Sequence, residues 1–229
     1  MISKNEINRC GEALRTNRID PSYLTFEEKI HSLHILEVFR RGFVYPMEKT
    51  NSGLRAMVKQ LTVDVVVSQR LKRIPQIIHK LERFPQTNLA RLEDIGGCRV
   101  VLDNSQQIRD LLEKISKNWD VKRFHDYVAF PKPSGYRSIH VVIERDGHRI
   151  EVQLRTKGQQ DWANAVEDIA AKFQIPLKDE KGPYEILEWL RLVAERIAYE
   201  DRSEIPPNEL VNSVNLARNL AIRWMSGGR

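Results

Sequence analysis

The sequence predicts an α+β fold: a small mixed β-sheet flanked by helices in one compact domain. Three observations carry that expectation. Apolar residues recur at helical spacing from Leu24 to Leu81 and again beyond Gln159. Between these stretches the period changes to two. Arg145-Asp146-Gly147-His148 holds the Asp-Gly pair that most strongly marks a tight hairpin. There is no internal repeat, low-complexity stretch or linker.

Each element follows from a local signal. Residues 1–50 read as mostly helical, with Pro21-Ser22 opening a long segment that Pro46 ends. In that segment Leu24, Ile30, Leu33, Leu36, Val38 and Phe39 recur near helical spacing. Asn51-Ser52-Gly53 is expected as a turn and cap, with Leu54, Met57, Val58 and Leu61 beginning a second helix. Pro75, a good first-turn residue, starts a third, with Ile77, Ile78 and Leu81 on its apolar side. Residues 97–102 form a short apolar, β-branched run bounded by Gly-Gly and Asp103-Asn104, the pattern of a buried strand. Ile108, Leu111, Leu112 and Ile115 make another helix, and residues 136–144 and 149–155 alternate as strands around the hairpin turn. Trp162, Ala165, Val166 and Ile169 then line one helical face. Leu187, Leu190, Ala194 and Ile197 line a second, and Leu216, Leu220 and Trp224 the last.

Composition narrows the class. Of 229 residues, 41% are hydrophobic and 30% charged, which excludes a disordered or collagen-like chain. The longest apolar runs, such as 63–67 with Asp64 inside it, fall far short of the roughly 20 residues a bilayer needs. The polar N-terminus does not read as a signal peptide, so the expectation is a cytoplasmic protein with no membrane partner. Two cysteines are too few for a disulfide scaffold or a four-cysteine zinc site. Thirty-seven basic against 31 acidic residues give a net charge of +6, a balance suited to nucleotides, RNA or phosphorylated substrates.

Four clusters hold candidate chemistry. In the strand 149–155, Ile150, Val152 and Leu154 share one face, while Glu151, Gln153 and Arg155 share the other. That polar row is either a solvated face or a site floor. Asp94-Ile-Gly-Gly-Cys-Arg99 places a carboxylate just before the buried strand. Asp94 either caps the segment before it or converges with Glu151 on a Mg²⁺ bridging phosphate oxygens. Arg70-Leu-Lys72-Arg73 precedes the helix that carries Lys80, forming either a phosphate cradle or a solvated corner. The fourth cluster runs over 126–140, where two prolines and Gly135 shape a loop presenting Lys132, Tyr136, Arg137 and His140. Tyr136 offers an aromatic face to a nucleobase. Cys98 and the tryptophans at 162, 189 and 224 read as core, and His31, His34, His79 and His148 as ordinary surface positions.

Taken in order, these clusters resemble the synthetase domain of the RelA/SpoT family, within its single-domain branch of small alarmone synthetases. The matching pieces are Arg70-Leu-Lys72 with Lys80, Asp94-Ile-Gly-Gly-Cys-Arg99, Pro131-Lys132-Pro-Ser-Gly-Tyr136-Arg137-Ser-Ile-His140, and Glu151-Val-Gln153-Leu-Arg155-Thr156. The resemblance implies a nucleotidyltransferase-like mixed sheet of about five strands. It also divides the chain into a helical segment 1–50, a synthetase domain 51–200 and a C-terminal helical extension 201–229, in one compact unit.

The reaction implied moves the β,γ-pyrophosphate of ATP to a ribose 3′-hydroxyl of GDP or GTP, giving (p)ppGpp and AMP. Carried over by position, Asp94 and Glu151 hold Mg²⁺ and are the catalytic carboxylates. Arg70 and Arg99 sandwich adenine, and Lys72 and Lys80 meet the donor phosphates. Tyr136 stacks on the acceptor base, with Lys132, Arg137, His140, Gln153 and Arg155 at acceptor-side or phosphate-side positions. Gln160 stands where relatives often carry Asn or His, which leaves its role open. The family's long members carry an upstream hydrolase domain, for which about fifty residues leave no room, so no hydrolysis of the product is expected.

Two alternatives remain at this point. The same chemistry can act on the 3′ end of tRNA or on adenosine nucleotides, as in toxins paired with an antitoxin or acting in phage defence. Alternatively, a degenerate fold binds nucleotide or RNA without turnover. A homo-oligomer built on the C-terminal helices fits either enzyme reading.

Overall fold

A computed structural model describes residues 2–60 and 65–227. Five strands form one mixed sheet in the order β1-β2-β5-β4-β3. They are β1 (Val66–Leu71), β2 (Gly96–Leu102), β3 (Val121–Asp126), β4 (Ile139–Arg145) and β5 (His148–Thr156). β2 and β5 run parallel, and every other pairing is antiparallel. The β4–β5 hairpin turns at Asp146 and Gly147, both with positive φ (49° and 75°) as the Asp-Gly pair predicts.

Helices cover the two faces separately. α1 (Lys4–Ile19), α2 (Phe26–Arg41), α3 (Val44–Val58), α4 (Ile74–Arg83) and α5 (Ser105–Asn118) enclose the apolar face. There Cys98, Val100, Val152, Leu154 and Val141 are buried in one cluster with Leu36, Leu54 and Ile108. α6 (Lys157–Phe173), α7 (Tyr184–Glu200) and α8 (Asn208–Met225) form a second cluster around Trp162, Val166, Leu190 and Ala194. The polar row of β5, Glu151, Gln153 and Arg155, faces that second cluster across a cleft.

The N-terminal helices depart from the expected boundaries. α2 starts at a capping box, where Thr25 and Glu28 exchange side-chain and backbone bonds, and Pro21-Ser22 belong to the turn before it. Pro46 does not end a helix. It sits in the first turn of α3, where its missing N–H has no helical partner to lose. α3 then runs unbroken through Asn51-Ser52-Gly53, expected as a turn, and across the 50/51 boundary. Gly53 is there for close packing: a Cβ would lie 2.7 Å from Trp119 Cζ2. Leu61, expected in the same helix, lies outside the described residues.

Three other readings are corrected. β4 begins at Ile139 and not at residue 136, because the loop carrying Tyr136 closes on itself through a Gly135 N–H to Lys132 carbonyl bond. α8 buries Val214, Ala217 and Ala221, small residues that let it approach α7, while Leu216 is 66% and Leu220 42% exposed. The edge strands β1 and β3 carried no recognised signal; each is largely exposed and so lacks the alternation that marked β5.

Gly53→Ala tests the close approach. A helical glycine replaced by alanine ordinarily gains up to about 1 kcal/mol. Here overpacking against Trp119 is expected to reverse the sign and cost about 1–3 kcal/mol, read as a lower urea midpoint at unchanged slope.

Candidate active site

The register of the sheet builds the site. Parallel pairing sets Gly97 opposite Glu151 and Arg99 opposite Gln153. Antiparallel pairing sets Arg70 opposite Gly97 and His140 opposite Gln153. Because paired residues share a face, these polar side chains project together under α6 and α7. They floor a cleft of about 890 Å³ whose walls include Lys72 and Lys80 on one side and Lys132, Tyr136 and Arg155 on the other.

The first side is an ion cluster. Lys72 and Lys80 both direct their ammonium groups at Asp94 Oδ2, Lys80 at 2.7 Å. Burial pushes Asp94 up, but the two ammonium groups outweigh it and hold the carboxyl below its usual range. Burial lowers Lys72, and Asp94 offsets part of that. Asp94 Oδ1 is buried with no partner. Arg70 is tied to the Gln76 side chain, and the buried Arg99 Nε has no partner. Burial and the nearby Arg155 charge both lower Arg99, so an anion between the two guanidiniums would relieve repulsion.

The second side is a chain of hydrogen bonds. Glu151 Oε1 lies 2.9 Å from His140 Nδ1, and Oε2 accepts from Gln153 Nε2 at 2.8 Å. Burial raises the Glu151 carboxyl, and the His140 and Gln153 bonds more than compensate, leaving it lowered. His140 Nε2 is 2.6 Å from the Tyr136 hydroxyl. Arg155 donates to that hydroxyl at 2.8 Å and to Gln160 Oε1 at 3.1 Å, which gives Gln160 a place beside the cleft. Burial raises the Tyr136 phenol. Lys132 lies 5.3 Å and Arg155 5.2 Å from the Tyr136 ring centroid, both within cation–π range. Gly135 holds a φ of 89° and presses on α7, where a Cβ would lie 2.8 Å from the Ala194 Cβ.

Eleven of the twelve predicted residues meet in or beside this cleft: Arg70, Lys72, Lys80, Asp94, Arg99, Lys132, Tyr136, His140, Glu151, Gln153 and Arg155. Arg137 does not. It shares the parity of Ile139, which faces the other way, and it donates Nη1 to the Val128 carbonyl at 3.0 Å. It lines a separate cavity with Arg109 and Arg202. Sequence reasoning missed Gln76, His79 and Arg83 of α4, which line the cleft. Gln76 and Arg83 were legible from their helical spacing to Lys80. His79 is exposed, as expected of a surface position, and stands at the edge of the cleft. Trp162 is core as expected, donating Nε1 to the Leu190 carbonyl at 2.7 Å, and it also walls the cleft. Cys98 is core, its thiol pushed by burial to about 12.

The donor set suits one kind of metal. Asp94 and Glu151 stand close enough for the Asp94 charge to act on Glu151, and one Asp94 oxygen is without a partner. No cluster of three or more His, Cys, Asp or Glu with metal-binding geometry occurs among the described residues, so a zinc-type cage is not formed by them. Mg²⁺, which takes one or two carboxylates and completes its shell with water and phosphate, fits what is present.

A five-stranded mixed sheet flanked by helices thus carries one cleft in which carboxylates and cations meet. Residues 69–178 match the region found in RelA/SpoT proteins. It is 28% identical over 148 residues to a probable guanosine-3′,5′-bis(diphosphate) 3′-pyrophosphohydrolase of Mycoplasma pneumoniae, a match covering 63% of this chain. It is 45% identical over 94 residues to a probable chloroplastic GTP diphosphokinase of Oryza sativa, covering 40% of this chain. These matches span only 20% and 13% of the relatives' lengths.

In structure, the chain is similar to small alarmone synthetase 2 from Bacillus subtilis, with a TM-score of 0.64 at 21% identity, covering 73% of this chain and 94% of that one. A GTP pyrophosphokinase family protein from Streptococcus pneumoniae gives 0.57 at 27% identity, covering 71% and 89%. No helix among the described residues is long and apolar enough to cross a membrane.

Asp94→Asn keeps the shape and removes the charge that Lys72 and Lys80 share. With these side chains 18–31% exposed, the expected loss is about 1–2 kcal/mol at neutral pH, less than for a fully buried pair. Asp94 is lowered in the folded state, so its contribution is present above the unfolded carboxylate range and lost as pH falls through the folded value. Urea unfolding of both proteins is therefore expected to differ at pH 7 and to converge in strong acid.

Proposed function

We propose that this protein is an ATP-dependent pyrophosphotransferase that moves the β,γ-pyrophosphate of ATP to the ribose 3′-hydroxyl of GDP or GTP. The observation that carries the reading is the cleft itself: cations and carboxylates suited to a polyphosphate on one side, an aromatic ring among hydrogen-bonding groups on the other. The RelA/SpoT match supports it, as does the fold shared with a Bacillus subtilis small alarmone synthetase solved with its product pppGpp, at a TM-score of 0.59 and 22% identity.

In this reading Arg70 and Arg99 hold the adenine, and Lys72 and Lys80 leave Asp94 for the donor phosphates. Tyr136 stacks on the acceptor base, while Lys132, His140, Gln153 and Arg155 hold the acceptor and its phosphates. Asp94 and Glu151 would hold Mg²⁺, which supplies charge neutralisation among the phosphate oxygens. The acceptor 3′-oxygen forms a bond to Pβ, the bond between Pβ and the α,β-bridging oxygen breaks, and AMP leaves. The hydroxyl proton passes to Glu151, the carboxylate on the cleft floor. Such a transfer draws on positioning and charge stabilisation more than on covalent catalysis.

The test is incubation of the purified protein with Mg²⁺, γ-labelled ATP and separate acceptors: GDP, GTP, AMP and bulk tRNA. Label on guanosine nucleotides is the expected result, and label on tRNA or AMP alone overturns the acceptor assignment. Asp94→Ala and Glu151→Ala are each expected to lower turnover by about 10²–10³-fold or more, the scale for losing one group that handles transition-state charge.

Product hydrolysis is not expected. Asp126, half of the one adjacent His-Asp pair, is already engaged by Arg109 and by the Val128 and Ala129 N–H groups. Pyrophosphate released from ppGpp by the pure protein is the contrary result.

A further inference from the structure

We propose that Tyr127 is a positioning residue for the acceptor phosphates: its ring keeps the Lys132 ammonium in place when a base occupies the face of Tyr136. Among the described residues the Lys132 ammonium makes no ion pair or hydrogen bond. It rests instead over two rings, 5.0 Å from the Tyr127 centroid and 5.3 Å from that of Tyr136. The backbone fixes all three residues. Tyr127 N–H donates to the Ser138 carbonyl at 2.9 Å, Lys132 N–H to the Tyr136 carbonyl at 3.2 Å, and Gly135 N–H to the Lys132 carbonyl at 2.8 Å. Pro131 and Pro133, on either side of Lys132, restrict the chain further. The Tyr127 ring has its own supports. His125 stacks on it at 5.8 Å and 19°, and His140 meets it nearly at a right angle, 5.3 Å away.

The inference rests on the reading of Tyr136 as the platform for the acceptor base and of Lys132 as a contact for its phosphates. With Tyr136 as the only seat for the lysine, those two roles would conflict. A base stacked on that ring takes the surface over which Lys132 lies. A lysine released into solvent regains rotamer freedom that phosphate binding must then remove. Tyr127 resolves the conflict. An ammonium carries three hydrogens, so a ring on one side leaves donors for phosphate oxygens on the other. The two tyrosines then divide the acceptor, its base on one ring and the cation for its phosphates on the other.

Tyr127→Leu removes the ring and Tyr127→Phe keeps it. The full chain, without ATP, is titrated with GDP and with guanosine, which lacks the phosphates. Tyr127→Leu is expected to weaken GDP binding about two- to fivefold, the worth of one exposed cation–π contact, and to leave guanosine binding unchanged. Tyr127→Phe is expected to restore the wild-type affinity for GDP. In a Lys132→Met background, Tyr127→Leu is expected to cost nothing further. Proton NMR reads the contact directly, because protons over a ring face are shielded. The Lys132 ε-methylene signals, assigned by their loss in Lys132→Met, are expected upfield of free lysine in the wild type and to stay there at saturating GDP. In Tyr127→Leu with GDP they are expected at the free-lysine position.

Equal losses for GDP and guanosine overturn the proposal. So does a Tyr127→Phe protein that binds GDP as weakly as Tyr127→Leu, or a full additive loss in the double variant. Where Tyr127→Leu does not fold, the wild-type signal decides, and Lys132 at the free-lysine position with GDP bound overturns the proposal. A wild-type protein that binds no guanosine nucleotide removes the acceptor reading instead, and the Lys132 signal without nucleotide then decides whether the rings hold the ammonium.

Discussion

Parallel pairing of β2 with β5 is the constraint on which the rest of this structure depends. It sets Gly97 beside Glu151 and Arg99 beside Gln153, and β1 and β4 extend the same polar row at Arg70 and His140. Side chains alternate with a period of two, so a one-residue slip of β5 would exchange the rows. Ile150, Val152 and Leu154, all fully buried, would enter the cleft, and Glu151, Gln153 and Arg155 would enter the core. Burying a carboxylate and a guanidinium unpaired costs several kcal/mol each, on top of the lost apolar burial. Core packing and site assembly therefore select the same register.

The cleft pays for its charge locally. Seven cations, Arg70, Lys72, Lys80, Arg83, Arg99, Lys132 and Arg155, line it with three carboxylates, Asp94, Glu151 and Glu167. Lys72 and Lys80 are both satisfied by one oxygen of Asp94, and Lys132 and Arg155 rest near the Tyr136 ring. A polyphosphate entering this site exchanges one anionic partner for another and need not assemble a new arrangement. That limits the ordering cost of binding and leaves the cations near the positions where transition-state charge develops. In the cleft, Asp94 Oδ1, Arg99 Nε, Gln153 Oε1 and Arg155 Nε are buried polar atoms without a partner, so both sides leave groups that an entering ligand can satisfy.

The parts of this molecule that were legible in the sequence are those where burial imposes a period. β2, β4 and β5 are central strands with an apolar row, and α5, α6 and α7 each bury a recognisable stripe. β1 and β3 are edges with a single buried residue between them, Val67, so they present no alternation to read. Pro46 and Gly53 were misread for a different reason. Their local preference is for breaks, yet one sits in a tolerant first turn and the other is selected by Trp119, far away in sequence. α8 was misread because Leu216 and Leu220 outweigh alanines in hydrophobicity, whereas packing against α7 favours the smaller residues. In the site, identity was legible and direction was not. Arg137 belongs to the right segment, but its parity sends it to the opposite side of β4 from His140.

The two halves of the cleft rest on different supports. The half with Lys72 and Lys80 is built on α4, β1 and β2, anchored in the large cluster that includes Ile77, Leu81 and Val100. The half around Tyr136 is packed against the smaller cluster of α6 and α7, with Gly135 pressed close to Ala194. Glu151 belongs to both: it acts on Lys72 through its charge and reaches Tyr136 through His140. β5 is the central strand, bonded on one side to β2 and on the other to β4, so Glu151 sits where the two walls of the cleft meet. Side chains set on strands and helices packed into two apolar clusters are held more precisely than side chains on loops, and Glu151 has that support from both neighbours of its strand.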